Sequence, residues 1–454
     1  MTLKVKTTII SLLAYISISQ AQIQVGSTLL DSTVLANNLS TPWDMVYTAS
    51  DTSLWFTERV GRVSRIDLNT NQVNLVLDIQ NTVEQFGEGG LLGMAILESV
   101  AVVKVYLVYN YRSPNSTYNE RLVRFDYDPN QDSLVNETLL WDSIPAAVNH
   151  NGSRLEIVNN YLYMTTGDAG NTSLPQNTAS LAGKVLRFEL NGAIPADNPI
   201  PNSPVYSWGH RNPQGLFFAN GYLYSSEHGP NSDDEINIIE KGRNYGWPNV
   251  KGFCNTAAEI TFCNDSNVVE PLFAWTPTVA TSGICYYNHP SIPEWQGNLL
   301  LTTLKDQRVI NLTLTNTKDS ITETTDYFVN RWGRLRDITS DPDGNVYIAT
   351  NSSPQRIIKL YNSSFTSLNE PRINAIGMLI YPNPAKESLT IQLSSKTTEI
   401  YALKIYDKIG RVVIEIQSLD HKTDLNVSSF SKGIYIAEAR NRSGFIVVRK
   451  FLVR

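Results

Sequence analysis

The chain has 454 residues, and its 43 acidic and 37 basic side chains give a formal net charge of −6. Nucleic-acid-binding proteins normally carry a basic patch and a high pI, so this acidic chain, with a pI of about 5.5, does not fit that class. A hydrophobic fraction of 42% excludes wholesale disorder. Aromatic residues make up 10% and charged residues only 18%, a composition that favours strands and turns over long helices. We therefore expect one large all-β domain with a smaller unit attached.

The first residues have the layout of a secretory signal. Lys4 and Lys6 form a positive region, an apolar run follows over residues 9–18, and Ser19-Gln20-Ala21 is typical of a cleavage site. The pattern predicts a signal peptide over residues 1–21 and therefore export from the cytoplasm; a buried N-terminal strand is the alternative. No apolar stretch is long enough to cross a bilayer, so we expect no transmembrane anchor.

A strand pattern repeats along the central region. Six similar apolar strands, most of them with an aromatic residue, lie at Leu54–Glu58, Val105–Tyr109, Leu162–Thr166, Leu223–Glu227, Leu299–Thr303 and Val346–Thr350. A period near 50 residues with about four strands per unit predicts a six-bladed β-propeller over residues 22–361. A jelly roll or a parallel β-helix would need shorter and more even steps. The loops of a propeller gather at the mouth of its channel, so polar residues that are distant in sequence converge there.

One of the five histidines stands out by its position. His150 lies in a polar turn directly before a predicted blade strand, and Asp168 lies just after the end of the next strand. Histidine is suited to general base catalysis, and a neighbouring carboxylate can orient it. The two side chains meet if the two strands are adjacent and antiparallel. An ordinary surface histidine is the alternative.

Two loops rich in Gly, Pro and Asn follow, at residues 209–215 and 226–235. Such loops turn backbone carbonyls outward, and the Asp233-Asp234-Glu235 triplet adds carboxylates. Hard oxygen ligands suit Ca²⁺ more than zinc. The spacing is not that of an EF-hand, and a solvated acidic turn is the alternative.

Cationic side chains stand near several predicted blade ends, at Arg211, Lys305, Arg334 and Arg336. Arg334 and Arg336 are two residues apart, which places them on one face of a strand. Paired guanidinium groups are suited to bidentate capture of carboxylates. The group predicts a pocket for a small polyanionic ligand, with structural ion pairs as the alternative.

The chain has three cysteines. Cys254 and Cys263 flank a short segment and could form a disulfide in an oxidising compartment, which would leave Cys285 unpaired. Three buried, reduced cysteines are the alternative.

The residue composition changes after residue 361, where a polar stretch predicts a linker over residues 362–376. Short alternating strands then predict a small β-sandwich over residues 377–454. This segment resembles the C-terminal sorting domain of the type IX secretion system of Bacteroidota, in Tyr381-Pro382-Asn383-Pro384-Ala385, Gly433-Ile434-Tyr435 and Lys450-Phe451-Leu452-Val453-Arg454. The resemblance implies the type IX machinery as a partner, a secreted or cell-surface location and removal of the tail. A plain immunoglobulin-like module and a periplasmic location are the alternatives.

The region from about residue 34 to residue 361 resembles the soluble quinoprotein glucose and sorbosone dehydrogenase family, which includes the bacterial aldose sugar dehydrogenases. The ordered motifs that carry the resemblance are Pro42-Trp43, Thr57-Glu58-Arg59-Val60-Gly61-Arg62, Glu88-Gly89-Gly90-Leu91-Leu92-Gly93, His150-Asn151-Gly152-Ser153-Arg154-Leu155, Gly167-Asp168, Ala182-Gly183-Lys184-Val185-Leu186-Arg187, Gly209-His210-Arg211-Asn212-Pro213-Gln214-Gly215, the run from Glu227 to Glu235, Asn244-Tyr245-Gly246-Trp247-Pro248 and Arg334-Leu335-Arg336-Asp337. The family uses the tricarboxylate pyrroloquinoline quinone (PQQ) together with Ca²⁺ and oxidises sugars at C1.

The resemblance implies a role for each matching residue. His150 would be the general base that takes the proton of the anomeric hydroxyl, Asp168 would orient it, and Arg211 would stabilise charge on the quinone oxygen. The residues that would contact the cofactor are Glu88, Arg211, Asn212, Thr278, Lys305, Arg334 and Arg336. The residues that would bind Ca²⁺ are Gly229 and Pro230 in the active site and Glu235 and Tyr245 in a second, structural site. A hydride would then pass from the sugar to the quinone, giving a lactone.

Two departures from the family pattern bear on the choice of substrate. Glu88 stands where a glucose-oxidising member has Gln, and Asn149 stands where an Asp precedes the base. The prediction is a broad-specificity aldose dehydrogenase with a small-molecule sugar substrate and an unidentified electron acceptor. A non-catalytic carbohydrate-binding propeller and a Ca²⁺-dependent lactonase are the rival functions.

Overall fold

The computed structural model describes residues 22–98, 102–115, 117–365, 378–393, 401–408, 410–419, 422–441 and 446–454. The predicted signal peptide and most of the predicted linker lie outside these residues. The fold is almost entirely β, as the composition predicts. No helix of the described residues is long and apolar enough to cross a membrane.

Residues 23–361 form 25 strands in six antiparallel sheets. The strands before the first complete sheet are β1 (Ile23–Val25) and β2 (Thr28–Ala36). The first sheet contains β3 (Pro42–Thr48), β4 (Ser53–Glu58), β5 (Arg62–Asp67) and β6 (Gln72–Asp78). The second contains β7 (Leu91–Leu97), β8 (Lys104–Arg112), β9 (Tyr118–Asp128) and β10 (Ser133–Pro145). The third contains β11 (Gly152–Val158), β12 (Tyr161–Thr166), β13 (Lys184–Glu189) and β14 (Val205–Trp208).

The remaining three sheets continue this order. The fourth contains β15 (Pro213–Ala219), β16 (Tyr222–Glu227), β17 (Asp234–Ile238) and β18 (Phe273–Trp275), with helix α1 (Ala257–Ser266) before its last strand. The fifth contains β19 (Thr281–Tyr287), β20 (Asn298–Thr303), β21 (Val309–Leu314) and β22 (Ile321–Tyr327). The sixth combines β23 (Leu335–Ser340), β24 (Val346–Thr350) and β25 (Ile357–Tyr361) with β2 and β1 from the start of the chain.

The sheets are joined in a closed ring. The first strand of each sheet contacts the first strand of the next, in the order β3, β7, β11, β15, β19 and β23, and β23 contacts β3. The six repeated strands of the sequence are the second strands of the sheets. They are buried along nearly their whole length, β4 and β20 at every residue, because each is covered on both faces by neighbouring sheets. This burial is the reason for their apolar and aromatic residues.

The C-terminal segment forms two further sheets. Its strands are β26 (Met378–Tyr381), β27 (Ser388–Leu393), β28 (Tyr401–Tyr406), β29 (Val412–Leu419), β30 (Lys422–Asn426), β31 (Gly433–Asn441) and β32 (Ile446–Val453). One sheet has the order β26-β27-β30 and the other β29-β28-β31-β32. Apolar side chains of both sheets form one buried cluster, to which Leu389, Ile405 and Phe451 belong.

The cysteine pairing left open by the sequence is resolved. Cys254 and Cys263 form a disulfide across the start of α1, and Cys285 is free and buried. The helix has no buried residue, and a capping box between Thr256 and Glu259 fixes its first turn.

Candidate active site

His150 and Asp168 lie at the ends of two paired strands. The antiparallel register of β11 and β12 sets Gly152 opposite Thr166, and the residues just beyond this pair are brought together. His150 Nδ1 lies 2.7 Å from Asp168 Oδ1. The geometry is the one that the sequence predicts for adjacent antiparallel strands.

Three groups donate to the Asp168 carboxylate, which is almost fully buried. Oδ1 accepts a hydrogen bond from Gly170 N at 2.8 Å as well as from His150, and Oδ2 accepts one from Trp247 Nε1 at 2.9 Å. Burial raises the pKa of this carboxyl, but the contacts with His150, Trp247 and Gly170 outweigh it and hold the pKa below its usual value. Asp168 is therefore ionised at neutral pH. A neutral imidazole that donates from Nδ1 to this carboxylate has Nε2 as its acceptor nitrogen.

A tight turn at residues 86–89 places Glu88 beside this pair. Glu88 Oε2 accepts the backbone N–H of His150 at 2.9 Å, and Glu88 N donates to Val148 O at 2.7 Å. Gly87 permits this approach, because a Cβ there would lie 2.0 Å from Val148 O. The Arg59 guanidinium donates to the Gly89 carbonyl at 2.7 Å and holds the other side of the turn. Glu88 thus stands between His150 and the cavity described next.

A cavity of about 310 Å³ lies where the leading ends of the six first strands converge. Its volume is at the lower end of the range for small-molecule sites. Its lining residues include Trp43, Arg59, Glu88, Leu92, Asn151, Gln214, His228, Ala280, Leu304, Arg334, Arg336 and Asn351. Three of the predicted cofactor contacts, Glu88, Arg334 and Arg336, are therefore brought together here.

Buried hydrogen-bond donors around the cavity lack protein partners. Arg336 Nη1 donates to Gln214 Oε1 at 2.8 Å, but Arg336 Nε has no acceptor. Three other buried nitrogens also have no hydrogen-bond acceptor, namely Asn151 Nδ2, Arg211 Nε and Asn212 Nδ2. Burial, followed by the nearby Arg154 and Arg59 charges, lowers the pKa of Arg336 to about 9. A site with unpaired donors and crowded cations suits a ligand that carries carboxylate and carbonyl oxygens.

Two predicted cofactor contacts lie together at the rim. Lys305 is exposed, and its Nζ donates to Thr278 Oγ1 at 3.2 Å. Its backbone N–H donates to Val279 O at 3.1 Å, which fixes the rim beside the lining residues Ala280 and Leu304. Lys305 does not itself line the cavity.

Arg211 also differs from the sequence expectation, because it does not line the main cavity. Its Nη1 donates to the His228 carbonyl at 3.1 Å, and its guanidinium lies 5.3 Å from the centre of a Trp247 ring. Its neighbour Asn212 is fully buried, and the Asn212 Oδ1 accepts from Gln214 Nε2 at 3.0 Å. Of the four cations that the sequence predicts for one pocket, Arg334 and Arg336 line the cavity, and Arg211 and Lys305 lie at its border. Arg59 is the third cation of the lining.

A second, much smaller cavity of about 20 Å³ adjoins the first through His228, which lines both. All four predicted calcium ligands line it, namely Gly229, Pro230, Glu235 and Tyr245. Burial, followed by the nearby Glu227 carboxylate, raises the pKa of Glu235 to about 8. The volume accommodates a single water-sized species. Within the described residues no group of three His, Cys, Asp or Glu side chains could hold a metal ion, so a cation here would depend on backbone carbonyls.

Several residues of the site received no role from the sequence. His228 is the most prominent: its Nε2 lies 2.6 Å from Thr281 O, so this nitrogen must be the donor, and burial lowers its pKa despite the nearby Asp234 and Glu88 charges. Arg59, Trp43 and Gln214 belong to motifs that the sequence marks. Their inward orientation depends on the ring closure, which no local pattern encodes.

A buried ionic network forms the floor of the main cavity. Arg154 is 4% exposed and donates to Asp44 at 2.5 Å, and it lies 2.9 Å from Asp337. Its Nε also donates to Gln214 O at 2.7 Å, and its guanidinium lies 4.4 Å from the centre of a Trp43 ring. The network ties four first strands together. A further cavity of about 300 Å³ lies beyond it, along the later parts of the same strands.

Comparison with known proteins agrees with this architecture. Residues 39–359 match the Glucose / Sorbosone dehydrogenase family, and residues 379–454 match the Secretion system C-terminal sorting domain. The chain belongs to the glucose/sorbosone dehydrogenase family and is an oxidoreductase. Its sorting domain identifies it as a secreted, cell-surface protein.

Two relatives match most of the chain. The chain is 30% identical over 411 residues to quinoprotein glucose dehydrogenase B of Acinetobacter calcoaceticus, a match that spans 71% of this chain and 86% of that protein. It is 28% identical over 344 residues to an aldose sugar dehydrogenase of Escherichia coli, spanning 72% of this chain and 91% of that protein.

Solved structures give the same result. The apo form of the soluble aldose sugar dehydrogenase of Escherichia coli superimposes with a TM-score of 0.66 at 27% identity, covering 73% of this chain and 99% of that chain. The PQQ-bound aldose sugar dehydrogenase of Streptomyces coelicolor superimposes with a TM-score of 0.62 at 28% identity, covering 73% of this chain and 98% of that chain.

Proposed function

We propose that the chain is a secreted, PQQ- and Ca²⁺-dependent aldose dehydrogenase that oxidises the C1 hydroxyl of aldoses to lactones. The observation that carries the proposal is the His150–Asp168 pair, 2.7 Å apart, beside a cavity whose buried donors lack partners. The names of the relatives, a quinoprotein glucose dehydrogenase and aldose sugar dehydrogenases, support the same reaction.

The donor set of the site fits PQQ. The cofactor carries three carboxylates and two quinone carbonyls, and the chain offers guanidinium groups and unpaired amide donors at the cavity. In this proposal Arg334, Arg336, Lys305 and Thr278 hold the carboxylates, while Arg211, Asn212 and Glu88 face the quinone. When bound, PQQ supplies the acceptor for the hydride of the sugar.

Calcium would occupy the border between the two cavities. Gly229 and Pro230 would provide main-chain carbonyls, which are hard ligands of the kind that Ca²⁺ prefers. Glu235 and the Tyr245 carbonyl would serve a second, structural cation. Glu227 and Glu235 are paired across neighbouring strands, and this pair of carboxylates supports a positive charge at this point beyond the hydrogen bonds from Asn237 and Gly252 to Glu235.

The hydrogen bonds support a role for each catalytic residue. With Nδ1 directed at Asp168, His150 Nε2 would be the acceptor nitrogen and would take the proton of the anomeric hydroxyl. The ionised Asp168 would hold the ring in that tautomer and stabilise the imidazolium that forms. Arg211 would stabilise negative charge that develops in the oxidation. Glu88 would fix the position of the His150 side chain, because its carboxylate accepts the backbone N–H of His150.

The proposal includes the finer architecture. The six sheets of the closed ring would be the blades of a six-bladed propeller over residues 22–361. The two C-terminal sheets would form a β-sandwich over residues 377–454. The signal peptide over residues 1–21 and the linker over residues 362–376 remain predictions.

The test is reconstitution of the purified chain with PQQ and Ca²⁺, followed by reduction of a redox dye in the presence of aldoses. We expect sugar-dependent reduction that disappears when Ca²⁺ is removed by a chelator. His150→Ala should lower kcat by roughly 10²- to 10⁴-fold, with PQQ binding, followed by absorbance, unchanged. Wild-type protein that binds PQQ but reduces no dye with any aldose would refute the proposal.

Two further measurements on the same purified protein separate the rival functions. A non-catalytic carbohydrate-binding propeller would bind sugar without a change in the PQQ spectrum. A Ca²⁺-dependent lactonase would hydrolyse lactones without added PQQ. Either result would replace the dehydrogenase assignment.

A further inference from the structure

The chain around His150 has a backbone conformation that its neighbours must hold in place. His150, Gly152 and Ser153 have φ angles of 59°, 67° and 76°, in the left-handed region. Glycine adopts this region freely, but His and Ser do so at a cost in free energy, so they persist there only where the surrounding structure fixes them. We call residues 150–153 the His150 segment. The groups that fix this segment also fix the position of the proposed base.

A buried carboxyl group binds the end of the His150 segment. Ser153 Oγ donates to Glu120 Oε1 at 2.9 Å, and both side chains are fully buried. Glu120 lies on β9 of the second sheet and Ser153 on β11 of the third sheet, so the contact joins two sheets. Ser153 is therefore held in its left-handed conformation from outside its own sheet.

The same carboxyl group is connected through Asn110 to the turn that carries Glu88. Asn110 Nδ2 donates to Glu120 Oε1 at 3.4 Å, and Asn110 Oδ1 accepts from Gly90 N at 3.0 Å. Asn110 N also donates to Gly90 O at 2.9 Å. Because Glu88 accepts the backbone N–H of His150, these contacts and the chain between them form a closed circuit that contains both residues.

The burial of Glu120 costs free energy. Within the described part of the chain its hydrogen bonds come from the neutral side chains of Ser153 and Asn110, and its Oε2 is buried without a partner. An apolar side chain of similar size would avoid the cost of burying a carboxyl group that no cation compensates. Glu120 does not line the main cavity, so any role in the reaction must pass through the residues that it holds.

We propose that Glu120 is a positioning residue, which fixes the proposed base His150 relative to Glu88. It acts through its contacts with Ser153 and Asn110. This inference rests on the proposed function, because His150 is the base only in that reaction. A displacement of about 1 Å can lower a rate by roughly 100-fold, so a small shift of the His150 segment should be measurable in kcat.

The kinetic test compares Glu120→Gln and Glu120→Leu with the control Glu156→Leu in dye reduction with glucose. Burial also raises the pKa of Glu156 to about 8, but Glu156 lines the cavity of about 300 Å³ and accepts from Phe218 N. Glu120→Leu should lower kcat by about 10- to 100-fold, with KM and PQQ affinity changed by about twofold at most. Gln can still accept from Ser153, so Glu120→Gln should restore kcat to within about threefold of wild type. Glu156→Leu should leave kcat unchanged.

The variant Ser153→Ala removes the same contact from the other side. It should lower kcat without changing KM, and it decides the question if thermal unfolding shows that Glu120→Leu does not fold. Where Glu120→Leu does fold, the double variant should lose no more activity than Glu120→Leu alone, because both changes remove one contact. Four results would overturn the inference: unchanged kcat in Ser153→Ala, additive losses, a Glu120→Gln variant as slow as Glu120→Leu, or an equal loss in Glu156→Leu.

A measurement on the protein without PQQ keeps this inference separate from the proposed function. The NMR chemical shifts of the His150 ring nitrogens depend on the hydrogen bond of Nδ1 to Asp168, and comparison with His150→Ala assigns them. Glu120→Leu and Ser153→Ala should change these shifts, and Glu156→Leu should leave them as in wild type. Changed shifts would support the inference even if no sugar were oxidised. Unchanged shifts in the folded Glu120→Leu and Ser153→Ala variants would overturn it, whatever their activity.

Discussion

The substitution Asp168→Asn tests the central contact of the proposed mechanism. It removes the charge that faces His150 Nδ1 at 2.7 Å and keeps the shape of the side chain. Asn keeps one acceptor oxygen, which can serve Gly170 N or Trp247 Nε1 but not both, because an NH₂ group takes the place of the other oxygen. The variant should therefore be somewhat less stable, and thermal unfolding separates that loss from the effect on catalysis.

The magnitude follows from the type of bond that is lost. A hydrogen bond to a charged group contributes about 1.5–3 kcal/mol. Each 1.36 kcal/mol corresponds to a tenfold change in rate, so kcat/KM should fall by roughly 10- to 150-fold. Trp247→Phe is the matched control, because it removes a neutral donor from the other carboxylate oxygen and leaves the charge in place. Because the contact of His150 Nδ1 with the charged carboxylate is kept, kcat/KM should fall less than in Asp168→Asn.

The assay is dye reduction with glucose by PQQ- and Ca²⁺-reconstituted protein, with thermal unfolding as a check of folding. PQQ affinity, followed by absorbance, should not change in Asp168→Asn. Activity within threefold of wild type in a folded variant would refute the reasoning, because His150 would then work without an oriented charge. A loss in Trp247→Phe as large as in Asp168→Asn would show that only local packing is involved.

Three further substitutions address the cofactor site and the buried charges. Lys305→Ala should raise the Kd for PQQ by roughly 10- to 150-fold, since a charged hydrogen bond of about 1.5–3 kcal/mol is lost, and an absorbance titration with unchanged affinity would exclude this contact. Glu88→Gln removes a negative charge beside the negatively charged cofactor, so PQQ should bind about fivefold more tightly, which corresponds to roughly 1 kcal/mol. Weaker PQQ binding in the same titration would contradict the placement of Glu88 beside the cofactor. Burial raises the pKa of Glu120 from 4.5 to about 8, against the hydrogen bonds from Ser153 and Asn110. Because the folded-state pKa is the higher one, this group favours the folded state below pH 4.5 and loses that contribution as pH rises to about 8. Glu120→Gln should remove a slope of about 1.4 kcal/mol per pH unit from urea-unfolding free energies in that window, and an unchanged slope would be the contrary result.

The parts of the fold that the sequence predicts are those with strong burial. The second strand of each sheet is apolar because it is covered on both faces, so all six could be recognised. The helix at Ala257–Ser266 could not, since none of its residues is buried and the Cys254–Cys263 disulfide holds its base. The strand Lys422–Asn426 gives a weak signal for the same reason: its residues are mostly polar, and only Leu425 is buried.

Some contacts of the candidate site can be predicted from local sequence, and others depend on closure of the ring. The meeting of His150 and Asp168 follows from one antiparallel hairpin, which is a local feature of the chain. The network of Arg154 with Asp44 spans 110 residues and depends on strands from different sheets. Arg154 lies in a recognised motif, but its partners become visible only once the ring is closed. The same holds for Arg59, which replaces Lys305 in the cavity lining.

The sixth sheet has a consequence for the order in which the chain can fold. Its strands β1 and β2 are made first and β25 last, and their register sets Asp31 opposite Tyr361. The ring therefore cannot close until the segment that ends at residue 361 is present, and a chain truncated before that residue would expose the edge of β2. An unclosed ring would also leave the six leading strand ends unconverged, so a chain that has not finished folding should have no cofactor cavity. The cofactor site can therefore mature only after the last strand before the sorting segment has paired with β2.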